Sequence, residues 1–286
     1  MAKTSTLLKK DNIQEIPLSE LYDFENHPFQ VRDDEEMQET ADSIKRFGVF
    51  IPGLARPHKS GTGYELIAGH RRKHGCELAG LDTMPVIIRN LSDDDAVLAM
   101  VDSNLQRETI LPSERAFAYK MKLDALKHQG KQLDVGGKLS VEIVAEESGE
   151  SKNQIFRYIR LTYLIPELLN MVDEKKIAFN PAVELSYLKE NEQFMLLESM
   201  EKEVATPSLS QAQRLKKLSR EDKLTQESMD TIMAEEKKPI DNKVTLSGKC
   251  LTQYFPPTYT PRQMHEIIIK LLESWHRRKQ QTRTAN

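Results

Sequence analysis

Two short strings in the first part of the chain carry groups that can hold an anion. Gly69-His70-Arg71-Arg72 lies between the apolar run Tyr64–Ala68 and a helix-like segment that ends near Gly80. A glycine at such a junction lets backbone N–H groups approach a phosphate at the start of a helix, whose dipole favours negative charge. Arg71 and Arg72 add forked guanidinium donors, and Arg107 of Ser103-Asn104-Leu105-Gln106-Arg107 adds another. Asn104 can offer its amide oxygen to magnesium. A single Gly-x-Arg-Arg string is weak evidence, because both arginines serve equally well against DNA phosphates and Asn104 as an ordinary helix-terminal residue. His70 and His74, with Cys76 and His58, have spacings that can share a metal. The cationic neighbours Arg71, Arg72 and Lys73 would repel it.

A second constellation lies in Leu139–Thr162, LSVEIVAEESGESKNQIFRYIRLT. Ala145, Gly149 and Ile155 have the relative positions of a helix-turn-helix. A small residue allows close approach, a glycine takes the tight turn, and a branched apolar residue packs the second helix back. Ser151 is a natural N-cap for that second helix. Ser151, Lys152, Asn153, Gln154, Arg157 and Arg160 are then expected as its DNA-reading residues, with donors and cations suited to a major groove. Phe156 falls awkwardly among them, and a plain helical hairpin remains an alternative.

The elements that must position these groups follow from punctuation and period. Acidic residues from Asp33 to Glu36 open a helix whose apolar positions are Met37, Ala41, Ile44 and Phe47, and Gly48 stops it. Extended segments are expected at Val49–Arg56, Tyr64–Ala68 and Pro85–Ile88, with a Ser92-capped helix to about Ser103. Beyond Pro112 the strand signals vanish. A helix to about His128 is followed by breaks at Gly130 and Gly136-Gly137, then further helices. The expected fold is an α+β N-terminal domain (residues 1–111), an all-α helix-turn-helix domain (112–218), a charged linker (219–243) and a short C-terminal helical dimerisation segment (244–286). In the last, Met264, Ile267, Ile268, Leu271, Leu272 and Trp275 share one face, ahead of Arg277, Arg278, Lys279 and Arg283.

The 286 residues are 38% hydrophobic and 30% charged, with a formal net charge of -3. That balance neither supports nor excludes nucleic acid, since clustering on one face decides. Cys76 and Cys250 make no disulfide framework, and no stretch reads as a signal peptide or membrane span. A cytoplasmic protein without membrane contact is expected. No clustered carboxylates suggest a two-metal nuclease.

Taken in order, Asn26-His27-Pro28-Phe29-Gln30-Val31-Arg32, Gly69-His70-Arg71-Arg72 and Ser103-Asn104-Leu105-Gln106-Arg107, followed by the helix-turn-helix and Leu164–Leu169, closely resemble the ParB/Noc family of partition proteins over roughly residues 12 to 190. The resemblance implies CTP with magnesium in the N-terminal domain, held by Gly69, His70, Arg71, Arg72, Ser103, Asn104 and Arg107, with Asn104 toward the metal. It implies an inverted-repeat, centromere-like site in double-stranded DNA, a homodimer, a nucleotide-gated clamp, nucleoid localisation, and a ParA-type ATPase partner for chromosome, plasmid or mobile-element segregation. The chain departs from the family strings Gly-Glu-Arg-Arg and Glu-Asn-x-Gln-Arg at His70 and Ser103, and lacks a glutamine at Ile51. Weak nucleotide binding, binding without hydrolysis, and loss of the nucleotide all remain open. So do two alternatives: a site-specific transcription regulator without the clamp, and a weak CTP hydrolase assisted by Asp102 or His70.

Overall fold

The computed structural model describes residues 13–107, 109–129, 140–235, 251, 254–256 and 258–284. Five strands form one mixed sheet: β1 (Ile13–Pro17), β2 (Leu21–Asp23), β3 (Gly53–Pro57), β4 (Tyr64–Ala68) and β5 (Thr83–Ile88), in the order β1-β5-β3-β4-β2. β1 pairs antiparallel with β5, β5 parallel with β3, β3 antiparallel with β4, and β4 parallel with β2. A register shift between Leu54 and Ala55 marks a bulge in β3.

Alternation along β4 divides the core. Leu66 faces α1 (Glu35–Phe47) and α2 (His70–Ala79), packing with Ile44, Cys76, Met84 and Val86. Ile67 points the other way, into a core with Phe24, Phe29, Met100 of α3 (Asp93–Leu105) and Ala118 of α4 (Pro112–His128). The domain is therefore a sheet covered by helices on both faces. Helix α1 starts at Asp34, whose carboxylate accepts from Met37 N, and stops at Gly48 with φ +74°. Phe47, expected on its apolar face, is instead 65% exposed and lies near Phe50.

Helix α4 is buried on several sides at once. Ala118 belongs to the sheet-side core, Tyr119 and Leu123 to a core with Val144 and Ile155, and Ala116 to the helical core beyond. The helical region continues with α5 (Ser140–Ser148), α6 (Lys152–Leu161), α7 (Pro166–Asp173), α8 (Phe179–Leu185), α9 (Glu190–Glu203), α10 (Leu209–Arg220) and α11 (Gln226–Met233). Residues 13–235 belong to one compact unit. The stretch from Ser219 to Glu235 is not linker: Met229, Ile232 and Met233 of α11 are buried against α9 and α10. Methionine and isoleucine fill the core there without aromatic residues.

The second unit comprises residues 236–286, and its helix α12 runs from Pro261 to Thr284. Leu271, Leu272 and Trp275 are exposed on it. Gly130, Gly136-Gly137, Val244–Leu246 and Cys250 lie outside the described residues, as do the side chains of Arg277, Arg278, Lys279 and Arg283. No described helix is long and apolar enough to cross a membrane.

Candidate phosphate cradle and nucleic-acid interface

Gly69 ends β4 and begins α2 with φ +114°. A Cβ here would meet both Gly53 Cα of β3 and Met84 Cε at 3.2 Å, so backbone angle and packing both demand glycine. No side chain caps α2, which leaves its first N–H groups available to an anion. The cationic groups nearby have different allegiances. Arg72 is turned inward, donating from Nη1 to the carbonyls of Ile51 and Pro52 at 2.5 and 2.6 Å. It braces the turn into β3, a positioning job the sequence did not suggest. Arg71 lies 3.9 and 3.7 Å from the carboxylates of Asp34 and Glu36 at the start of α1. The Arg107 guanidinium sits 5.7 Å from the centroid of the Phe29 ring.

His27 and His70 meet at the heart of this cluster, their ring centroids 3.9 Å apart. His27 Nδ1 donates to the Phe29 carbonyl at 2.7 Å, which places its proton on Nδ1 and leaves Nε2 a bare lone pair. Neither His27 Nε2 nor His70 Nε2 has a hydrogen-bond partner, and both atoms are buried. Burial lowers the His27 pKa, with the charge of Arg107 acting the same way. Burial, then the neighbouring His27, drives His70 down to about 3. The two rings form the inner wall of a cleft of about 390 Å³ that Asp23, Asp33, Lys73, His74 and Glu77 also line. From the sequence, His70 is an expected site residue, whereas His27 and Phe29 enter only within a family string and Lys73 only as a neighbouring cation. The string containing His27 was visible; its stacking against a residue on another element was not.

Of the expected site residues, Gly69, His70 and Arg71 are consecutive at the start of α2, and the charge of Arg107 acts on His27 and His70. Ser103 Oγ and Asn104 Nδ2 instead each donate to the Met100 carbonyl at 2.8 Å, within their own helix. Asp102 pairs with Lys122. Neither bond to the Met100 carbonyl uses the Asn104 amide oxygen, but the neutral imidazole of His70 and the uncharged hydroxyl of Ser103 are poor ligands for a hard, oxygen-seeking cation. Among the described residues no group of three or more histidine, cysteine or acidic side chains is arranged to hold a metal.

The helix-turn-helix forms as its spacing requires. Val144 and Ile155 are fully buried, Gly149 takes the turn with φ +70°, and Ser151 Oγ accepts from Gln154 N at 3.2 Å. Ser151, Lys152 and Asn153 are exposed and Gln154 is half-buried. Lys152 pairs with Glu142 of α5. The other half of α6 faces α8: Arg157 donates to Asn180 and lies over Phe179, while Arg160 donates to the Ser186 carbonyl at 2.6 Å and lies over Tyr187 and Tyr163. Phe156 is half exposed.

A mixed α/β domain with a glycine-led cationic cradle, continuous through one shared helix with a helix-turn-helix, defines a class of two-part helix-turn-helix proteins. The ParB N-terminal domain matches residues 2–105. The chain is 33% identical over 202 residues to the chromosome-partitioning protein Spo0J of Thermus thermophilus, covering 70% of this chain and 69% of that one. It is 35% identical over 170 residues to the probable chromosome 1-partitioning protein ParB of Deinococcus radiodurans, covering 59% of this chain and 54% of the relative. A solved chain of C-terminally truncated ParB from Caulobacter crescentus, complexed to the centromeric parS site, is 21% identical with a TM-score of 0.42, over 73% of this chain and 99% of that one. This chain belongs to the ParB/Noc family of partition proteins. It spans little more than half of the Deinococcus relative's length.

Proposed function

We propose that this protein binds a specific inverted-repeat site in double-stranded DNA as a homodimer and supports partition of the replicon that carries it. The observation that carries this reading is the capped N-terminal half of α6. Its exposed Ser151, Lys152 and Asn153, with Gln154, offer donors and a cation on a helix of groove-reading type. Arg157 and Arg160 act from behind, holding α6 on α8. The exposed Leu271, Leu272 and Trp275 of α12 support self-association. A two-fold DNA site matches a two-fold protein. Nucleoid localisation in the cytoplasm and a ParA-type ATPase partner follow from the same family reading.

The cradle at Gly69 is read as the phosphate site of CTP, with Gly69 opening the α2 N–H groups and His70, Arg71 and Arg107 around them. Bound nucleotide gates the clamp in this reading. The experiment is sequencing of genomic DNA fragments retained by the purified protein, with and without CTP. A peak over an inverted repeat that broadens when CTP is added supports the gated clamp. A peak of unchanged width indicates a site-specific regulator without a sliding state, the reading favoured by the pairing of Asp102 with Lys122 and the donation of the Ser103 hydroxyl within its own helix. Absence of any enrichment overturns DNA recognition by α6. Hydrolysis of CTP is the remaining alternative, and phosphate release that depends on DNA and on His70 tests it.

A further inference from the structure

The cradle contains an arrangement that the family strings do not have. Where their glutamate would stand, His70 is 8% exposed, stacked on His27 at a centroid separation of 3.9 Å. Two imidazole nitrogens are buried there without partners. An unpartnered buried polar atom is costly and calls for a ligand. A lone pair on Nε2 repels a phosphate oxygen; the same atom carrying a proton becomes a charged donor to it. The rest of the donor set points the same way. Asp102 is paired with Lys122 and the Ser103 hydroxyl donates within its own helix, while Lys73 lines the cleft and the charges of Lys73 and Arg107 act on His70.

We propose that the polyphosphate end of a nucleotide in this cradle is neutralised by a proton taken up on the His27–His70 pair, and not by a divalent cation. The inference rests on reading the cradle as a nucleotide phosphate site. The proton comes from solvent and is released when the anion leaves. One proton suffices, because two imidazoliums at this separation would repel, whereas one lies favourably over the other ring. Without the anion, burial and neighbouring cations keep both rings neutral.

The surrounding charges are compatible with this cycle. Asp23, at the end of β2, acts on both rings and is itself paired with Lys73 at 2.9 Å. Asp33 and Glu77 both bond to His74 across the cleft. Glu114 of α4 acts on His27 but accepts hydrogen bonds from Gln30 N and Leu111 N. On the α1 side, Asp34 and Glu36 face Arg71. Each acidic group near the pair thus has its own partner, which leaves Arg107 and the two rings to meet the anion.

Calorimetry on the full chain tests this, with CTP and inorganic tripolyphosphate as probes, each in EDTA and in magnesium, at pH 7.5 and 5.5 in buffers of different ionisation heat. The expected result is equal affinity with and without magnesium, buffer-dependent proton uptake, and about tenfold tighter binding at the lower pH. That factor follows if a histidine near 3 in the free protein regains its ordinary value of 6.5 in the complex. The H70Q variant supplies the background slope from the ligand's own phosphate titration and is expected to take up no proton. H70E is expected to make binding magnesium-dependent. CTP binding that requires magnesium and takes up no proton overturns the inference and leaves the nucleotide reading intact. Proton-linked tripolyphosphate binding without CTP binding supports the inference and removes the nucleotide reading; binding of neither probe removes both. Imidazole nitrogen shifts of His27 and His70 in the unaltered protein give a second readout, independent of variant folding. With one proton shared between the rings, they are expected to move toward imidazolium values when tripolyphosphate is added at pH 5.5, and unchanged shifts overturn the inference.

Discussion

The Lys122 ammonium donates to the Glu147 carboxylate at 2.6 Å, joining α4 to the first helix of the helix-turn-helix. Lys122 also pairs with Asp102 of α3, so one lysine that is only 3% exposed ties the sheet region to the helix-turn-helix. Its two carboxylates are about half exposed and can recover water when the lysine is removed. The lysine cannot recover it, since its stem is enclosed in α4 packing. Asp102→Asn or Glu147→Gln alone is therefore expected to cost about 1 kcal/mol. The double variant, which leaves a buried ammonium with no counter-charge, is expected to cost roughly 3–5 kcal/mol. Urea unfolding of the three variants checks it, and additive losses would mean that the two carboxylates do not share the lysine.

Gly69 is the residue on which the cradle's geometry turns. Its φ of +114° is strained for any residue with a side chain, and the added Cβ would press on β3 at Gly53. Gly69→Ala is expected to destabilise the protein by about 1–3 kcal/mol and to weaken triphosphate binding beyond that of Gly80→Ala. Gly80 also has positive φ but open space around it, so the comparison separates backbone strain from the β3 contact. Thermal unfolding and triphosphate titration on both variants check it.

What could be read from sequence, and what could not, divides along local against distant order. The strand Tyr64–Ala68, the stops at Gly48 and Gly80, the cap at Ser151 and the turn at Gly149 depend on neighbours in the chain, and they were legible as punctuation. Helix α4 was legible as a helix but not as a shared one. Apolar residues around its whole circumference signal burial on several sides without saying by what. The same limit hid the inward turn of Arg72 and the docking of Arg157 and Arg160 on α8. Forked cations read as ligand donors whether they meet a phosphate or a carbonyl of their own chain.

Two histidines close to one another predict opposite responses to pH. His74 is raised by its hydrogen bonds to Asp33 and Glu77, so its contribution is fully present below the ordinary value of 6.5 and disappears as pH rises through its higher folded value. His70 is lowered to about 3, so the folded state resists a proton that the unfolded chain accepts, and stability falls as pH drops from 6.5 toward 3. His74→Gln is expected to flatten stability on the alkaline side of pH 6.5, and His70→Gln to flatten it on the acid side. Denaturant midpoints from pH 4 to pH 9 check both, and exchanged behaviour would show that the pair had been assigned wrongly.

The divided face of α6 makes a prediction about which substitutions harm DNA binding and which harm folding. Lys152 and Asn153 are exposed, so Lys152→Ala is expected to weaken binding to all sequences and to reduce the salt slope by about 1. Asn153→Ala is expected to relax specificity at a position it reads, at a cost of about 1–3 kcal/mol. Arg157 and Arg160 are held by Asn180 and the Ser186 carbonyl, with aromatic rings beneath both guanidiniums. Alanine at either is expected to lower folding stability by about 1–2 kcal/mol while leaving the salt slope unchanged. Binding isotherms across salt concentration, paired with urea unfolding of the same variants, separate the two effects. An unchanged stability together with a lost salt slope for Arg157→Ala would mean that this arginine leaves Asn180 for a phosphate when DNA is bound.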